Sequence, residues 1–396
     1  MLRPSTSIPR RGRGPLWRDP ALRALIVQIV LFAALALFIV FIVDNTLSNL
    51  AQRGINTGFD FLDQRAGFGI SQTLVEYTSN SSYGRTFIIG LLNTLLVSVL
   101  GIVAATIIGF VVGISRLSSN WLVAKLAAAY VETFRNIPLL VQILFWYYAV
   151  LQALPSPRQS LSLFDLFFFN ARGVEAPSPQ PLPGFDLTLI ALAVAVAATL
   201  GLAVFARRRQ IRTGRALPMY RIGAAIIVGL PLLVFLVSGS PLDWSVPELS
   251  GFNFSGGITL IPELAALWVA LSIYTAAFIA EIVRSGIMSV PKGQTEAAQS
   301  LGLRGNITMR KIVIPQAMRV IVPQLTSEYL NLTKNSSLAT AIGYPDLVAV
   351  FAGTTLNQTG QAIEIIAMTM GVYLTISLIV SLLMNLYNSR IQLKER

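Results

Sequence analysis

Runs of apolar residues as long as a bilayer is thick recur along this chain, and they leave few folds open to it. A helix needs roughly 20 residues to cross about 30 Å of hydrocarbon. Eight segments are read as spans: 24–43, 87–114, 137–154, 187–206, 222–237, 261–287, 326–351 and 362–388. The expected fold class is therefore all-α, a polytopic membrane protein with about eight transmembrane helices. Composition agrees, since charged residues make up 12% of the 396 against roughly 25% in soluble domains. The seventh span is the least apolar because it holds Glu328, Lys334, Asn335 and two following serines.

Charge distribution sets an orientation. Alternating sides from a cytoplasmic N-terminus puts 24 of the 30 Lys and Arg inside and 5 in outer loops, with Lys334 inside a span. This is the positive-inside pattern, and both termini are then cytoplasmic. It also removes the reason to invoke nucleic acid as a partner, because the basic run "ARRRQIRTGR" serves as a stop-transfer loop. The partner that the composition requires is the lipid bilayer. A cleaved signal peptide is the rival reading of 24–43. Its apolar core would be shorter, about 7–15 residues, so a retained anchor is preferred.

Several chemistries are disfavoured outright. The chain has no Cys and no His, hence no disulfide, thiol chemistry or imidazole metal site, and no metal ligands are assigned. No Gly-x-x-x-x-Gly-Lys-Ser/Thr loop occurs, so ATP is not expected to bind by that route. No cofactor is expected in this chain.

Between the second and third spans, 118–134 is a further helix-length piece, read as an elbow at the cytoplasmic interface. It carries Lys125, Glu132 and Arg135, and Pro138 predicts a bend near residues 135–137. The outer loops 44–86 and 155–186 are long, rich in Gly, Pro, Ser and Asn, and dotted with aromatics, as if folded against the helices.

One basic stretch stands apart from its apolar surroundings, "TEAAQSLGLRGNITMRKIVIP" (295–315). Ala297 and Ala298 favour helix and leave a shallow surface. Glu296 in a first turn suits the helix dipole, and Gly302 permits a left-handed stop. A second helix over 307–314 would lead to Pro315. The expected object is a compact knob between two long spans, with an ordinary amphipathic interfacial loop as the alternative.

The spacing Glu296-Ala297-Ala298, three residues, Gly302, nine residues, Ile312, one residue, Ile314-Pro315 resembles the EAA signature of ATP-binding-cassette importer permeases. Ile314 replaces the usual Leu. The resemblance implies a type I importer permease core, with the EAA loop as a coupling helix that seats in a separate ATPase subunit. Glu296, Ala297, Ala298, Gly302, Arg304, Ile312 and Pro315 are then the coupling residues. The stretches 90–109, 130–148, 274–303 and 331–347 resemble the polar amino-acid permeases of that superfamily. Segments 58–68, 83–94 and 251–257 look more narrowly like the general L-amino-acid permeases, which have an extra first span and a two-span insertion. The resulting division is a basic N-terminus 1–23, a first helix 24–43, an outer loop 44–86, an importer domain 87–388 and a tail 389–396. The inserted spans fall at about 187–237 and the coupling loop at about 288–316.

Polar residues in lipid usually face the bundle interior or water. Tyr274 and Glu281 in the sixth span, and Glu328, Asn331, Lys334 and Asn335 in the seventh, are expected along a substrate pathway. Gln142 and Asn93 would complete it, with Thr94 and Ser98 nearby. Interhelical hydrogen bonding is the competing role for each. The family reading implies two copies of an ATPase that bind ATP and Mg, a periplasmic amino-acid-binding protein, and a second permease chain, related but different. It places the protein in the bacterial inner membrane. The alternatives are an ion-gradient-driven secondary transporter, a membrane scaffold or receptor, or a permease of the same class for another small polar solute.

Overall fold

The computed structural model describes residues 20–52, 57–214 and 217–391. The basic N-terminus up to residue 19 and the tail beyond residue 391 lie outside the described residues. The chain begins with helix α1 (Pro20–Gln52). A loop follows, containing a short 3-10 turn (Asp60–Asp63), and then α2 (Tyr83–Ser115). Next come α3 (Trp121–Asn136) and α4 (Leu139–Leu144), the latter running into a π-helical segment Phe145–Leu151. The middle of the chain holds α5 (Phe185–Thr213) and α6 (Met219–Val237).

The remainder starts with α7 (Pro262–Met288), α8 (Lys292–Ser300) and α9 (Gly305–Thr308). A π segment Met309–Val313 joins α9 to α10 (Ile314–Asn335). After a 3-10 stretch Ser336–Ile342 and a second π segment Val348–Thr355, α11 (Leu356–Thr359) and α12 (Ala362–Ile391) end the fold.

Among the described residues, six helices are long and apolar enough to cross a membrane: α1, α2, α5, α6, α7 and α12. Taken together, the pair Trp121–Asn136 and Leu139–Leu151, bent by 104°, has the length and apolar composition for a seventh. The bend falls at Ile137–Pro138, one residue beyond the expected place, and Asn120 Oδ1 starts α3 by accepting from the N–H of Leu122 and Val123. The segment 326–351 needs correction. It is not one span: α10 begins twelve residues earlier, at Ile314, and the helix gives way after Asn335. Gly343 at φ 76 and Pro345 break the chain there.

The core lies where α2, α4, α7 and α10 meet around Ile143, Leu267, Leu271, Ile279 and Leu332, all fully buried. Within it α2 and α7 approach closely. Gly109 and Gly113 form a small-xxx-small pair facing Ala276 and Ala280, and a Cβ on Gly113 would sit 2.7 Å from Ala280 O. Without a hydrophobic drive between helices in lipid, such close backbone contact is what holds them. The outer loop before α2 does pack on this body: Phe61 is buried with Tyr83, Leu347, Phe351 and Ile365.

To the helical class the structure adds eight short strands, in the chain flanking α5 and α6. One antiparallel sheet has the order β1 (Leu161–Leu163), β2 (Phe167–Asn170), β3 (Gly173–Ala176) and then β8 (Ile258–Leu260), and β8 leads directly into α7. Two hairpin-like pairs, β4 (Ser178–Pro181) with β5 (Leu242–Ser245) and β6 (Glu248–Ser250) with β7 (Asn253–Ser255), complete this cap. The β4–β5 ladder thus closes the base of the α5–α6 hairpin.

Candidate functional site

Side chains at helical spacing put a polar stripe on each of two facing helices. On α7 the stripe is Tyr274, Phe278, Glu281, Ile282 and Ser285; on α10 it is Gln324, Ser327, Glu328, Asn331 and Asn335. Two adjoining cavities lie between them. One, of about 270 Å³, is lined by Tyr274, Thr275, Phe278, Glu328, Asn331 and Asn335. The other, of about 370 Å³, is lined by Arg135, Phe278, Glu281, Ile282, Ser285, Gln324, Ser327 and Glu328. Phe278 and Glu328 belong to both, so the cavities form one seam along α7 and α10.

The seam carries both signs of charge. Arg135 reaches it from the end of α3, with its guanidinium carbon 5.0 Å from the centre of the Phe278 ring, a cation–π distance. The ring of Tyr274 packs 4.9 Å from that of Phe278. Glu281 is held by Arg284, 2.5 Å away on the same helix, and by Arg116 from the end of α2. No ion pair with Glu328 occurs among the described residues. Arg135 and Glu328 thus share one cavity without forming a direct ion pair.

Five expected pathway residues meet in this seam: Tyr274, Glu281, Glu328, Asn331 and Asn335. Three do not. Lys334 is exposed and lines neither cavity. Asn93, fully buried, donates to the carbonyls of Gln72 and Pro345 at 3.0 and 2.9 Å. With Thr94, whose Oγ1 accepts from Leu347 N–H at 3.0 Å, it fastens the break after α10 to α2. Gln142 donates to two backbone carbonyls at the elbow. Arg135, Gln324 and Ser327 were missed. The last two share a helical face with Glu328, a periodicity that would have found them. Arg135, expected near lipid headgroups, is brought in by the bend.

The basic stretch forms the expected knob, with changed details. Helix α8 starts at Lys292, so Glu296 lies beyond its first turn and is exposed. It ends in a Schellman motif: Leu303 N–H donates to Ala298 O at 3.1 Å and Gly302 N–H to Gln299 O at 2.8 Å. Gly302 sits at φ 74, a conformation that a Cβ disfavours, although nothing crowds that Cβ. Ala298, expected on the outer surface, is 2% exposed and turned inward, while Ala297 and Leu301 face out. The carbonyl of Arg304 accepts from Ile307 and Thr308 and so starts α9. No separate helix over 307–314 exists, because the chain stays helical from Gly305 through Asn335. Pro315 therefore lies within this continuous helical run and does not turn the chain; having no N–H, it cannot bond to the carbonyl one turn before it. Ile312 is half-buried in the π segment.

Comparison with known proteins reaches both regions. The family model described as "Binding-protein-dependent transport system inner membrane component" matches residues 208–393, which include α7 to α10. The putative amino-acid ABC transporter permease protein YhdX of Escherichia coli (strain K12) is 57% identical over 378 residues, 96% of each chain. The general L-amino acid transport system permease protein AapQ of Rhizobium johnstonii is 51% identical over 98% of each. The glutamate/glutamine/aspartate/asparagine transport system permease protein BztB of Rhodobacter capsulatus is 42% identical over 96% of each. A solved amino acid ABC transporter with histidines aligns over 78% of this chain and 95% of its own, at 22% identity and a TM-score of 0.46. Near-complete coverage by relatives this similar leaves no room for a different family, and the chain belongs to the amino-acid ABC transporter permeases, the inner-membrane components of binding-protein-dependent transport systems.

Proposed function

We infer that this permease forms the translocation path of an ATP-driven amino-acid importer, and that α8 with its Gly302 turn couples that path to a separate ATPase subunit. One observation carries the reading: the two helices that line the seam, α7 and α10, are also the two that flank the exposed knob. Force applied to α8 would reach the seam through rigid helix. The outward Ala297 leaves room for a close-fitting partner, and exposed Glu296, Arg304, Arg310 and Lys311 would set its register by charge.

Within the seam, Glu328 would accept from a substrate ammonium group, while Arg135, Asn331, Asn335 and Tyr274 would donate to its carboxylate. Glu281, already engaged by two arginines, would serve to shape the inner mouth. The assembly we propose has two ATPase copies holding ATP and Mg, an external amino-acid-binding protein, and a second, related permease chain. Both termini of this chain would be cytoplasmic.

The test is to purify the complex and measure ATP hydrolysis with candidate L-amino acids and the cognate binding protein. Stimulation by the loaded binding protein is expected. Purification without any ATPase, or hydrolysis indifferent to every amino acid, would overturn the reading.

A further inference from the structure

A proline break in a helix strands backbone carbonyls that then need another donor. At the elbow, Ile137 and Pro138 are both extended, with ψ of 125° and 136°. The last carbonyls of α3 thus lose their helical donors. In an unbroken helix the N–H of residue 138 would bond to Phe134 O; proline has none.

Gln142 supplies that donor. Its Nε2 lies 3.0 Å from Phe134 O and 3.0 Å from Ile137 O. Both neighbours are acceptors, so the amide has to present its nitrogen to them. The side chain is 4% exposed, and the residue's own N–H bonds to Pro138 O at 3.2 Å. One residue therefore grips the chain on both sides of the 104° bend. Arg135, next to Phe134, is what the bend delivers to the seam.

We propose that Gln142 is a positioning residue for transport. Its amide replaces the donor that Pro138 lacks, holds the elbow angle, and keeps Arg135 over Phe278 beside Glu328. It lines neither cavity and acts through Arg135. The proposal rests on the reading of the seam as the solute path.

Because the chain has no cysteine, the pair Lys125→Cys and Tyr148→Cys places spin labels on exposed positions either side of the elbow. The distance between them is read in the complete transport system, beside uptake of a radiolabelled mixture of L-amino acids. With Gln142 present, one narrow distance is expected. Gln142→Leu and Gln142→Met, which lack the donor, should widen the distribution about twofold and lower uptake about tenfold at unchanged membrane level. Arg135→Gln should lower uptake while leaving the distance narrow.

A narrow, unshifted distance in both Gln142 variants overturns the proposal, as does a disturbed elbow with native uptake. Failure of both variants to insert reduces Gln142 to a folding role and overturns it too. The distance needs no substrate. If the intact system imports no amino acid, the transport reading fails, while the labels still answer whether Gln142 holds the bend.

Discussion

Helix α7 and the inserted α5–α6 hairpin are all apolar enough to cross a membrane, yet they are used in opposite ways. α7 buries 61% of its most apolar 18-residue stretch inside the chain, against 17% for α5 and 6% for α6. α1, the most apolar of the spanning helices, buries none of its own. In water the greasiest helix would be the most buried. In lipid the tails already satisfy apolar surface, so what packs inside is the helix with small and polar residues. α7 contributes Ala266, Ala270, Ser272, Thr275, Ala276, Ala277 and Ala280 to the interior. α5 and α6 touch mainly each other, through Ala191, Ala195 and Gly223.

The sharpest way to break this contrast is to make one change in both places. Gly113→Leu pushes a Cβ to 2.7 Å from Ala280 O and 2.8 Å from Val283 Cβ. Backbone there has nowhere to move, so a loss of about 3 kcal/mol is expected, read as a lower thermal midpoint in detergent and a reduced yield. Gly201→Leu on α5 meets nothing within 4 Å and closes this series as its smallest effect, within about 0.5 kcal/mol of native. Equal losses at the two sites would show that α5 has a packing partner as intimate as that of α7.

Between these extremes lie two changes on the α7–α10 side. Gly302→Glu forces a side chain into a left-handed turn and places bulk on the proposed coupling surface. It is expected to insert normally, with a local strain of about 1 kcal/mol, but to uncouple ATP hydrolysis from uptake. Normal uptake and normal stimulated hydrolysis in this variant would refute the coupling role. Asn335→Ala, inside the seam, should lower uptake about tenfold at constant membrane level, since a lost polar contact to a charged solute is worth that much. Lys334→Ala, whose side chain lines neither cavity, should lower it by about threefold at most. The reverse order would place the path on the exposed face of α10.

Much of the site was legible in sequence because helical periodicity alone puts Glu328, Asn331 and Asn335 on one face, as it does Tyr274 and Glu281. The turn at Gly302 was legible for a similar reason, since few residues accept φ 74. Arg135 was not. Its sequence neighbours place it at an interface, and only a 104° bend carries it to Phe278. That Gln142 and Asn93 bond to backbone carbonyls away from the seam was not legible, because a polar residue in a span looks alike whether it meets a solute or a stranded carbonyl. The β cap was also unforeseen: its strands are three or four residues long, and β3 pairs with β8 across more than 80 positions.

By itself the sequence determined six of the spans, the basic knob and the glycine that ends α8, because these follow from local rules of length, charge and backbone freedom. Tertiary structure alone decided which apolar helices form the interior and which polar side chains share a cavity. Those choices depend on how closely backbones approach and where a broken helix turns, and neither is encoded in any short stretch of residues.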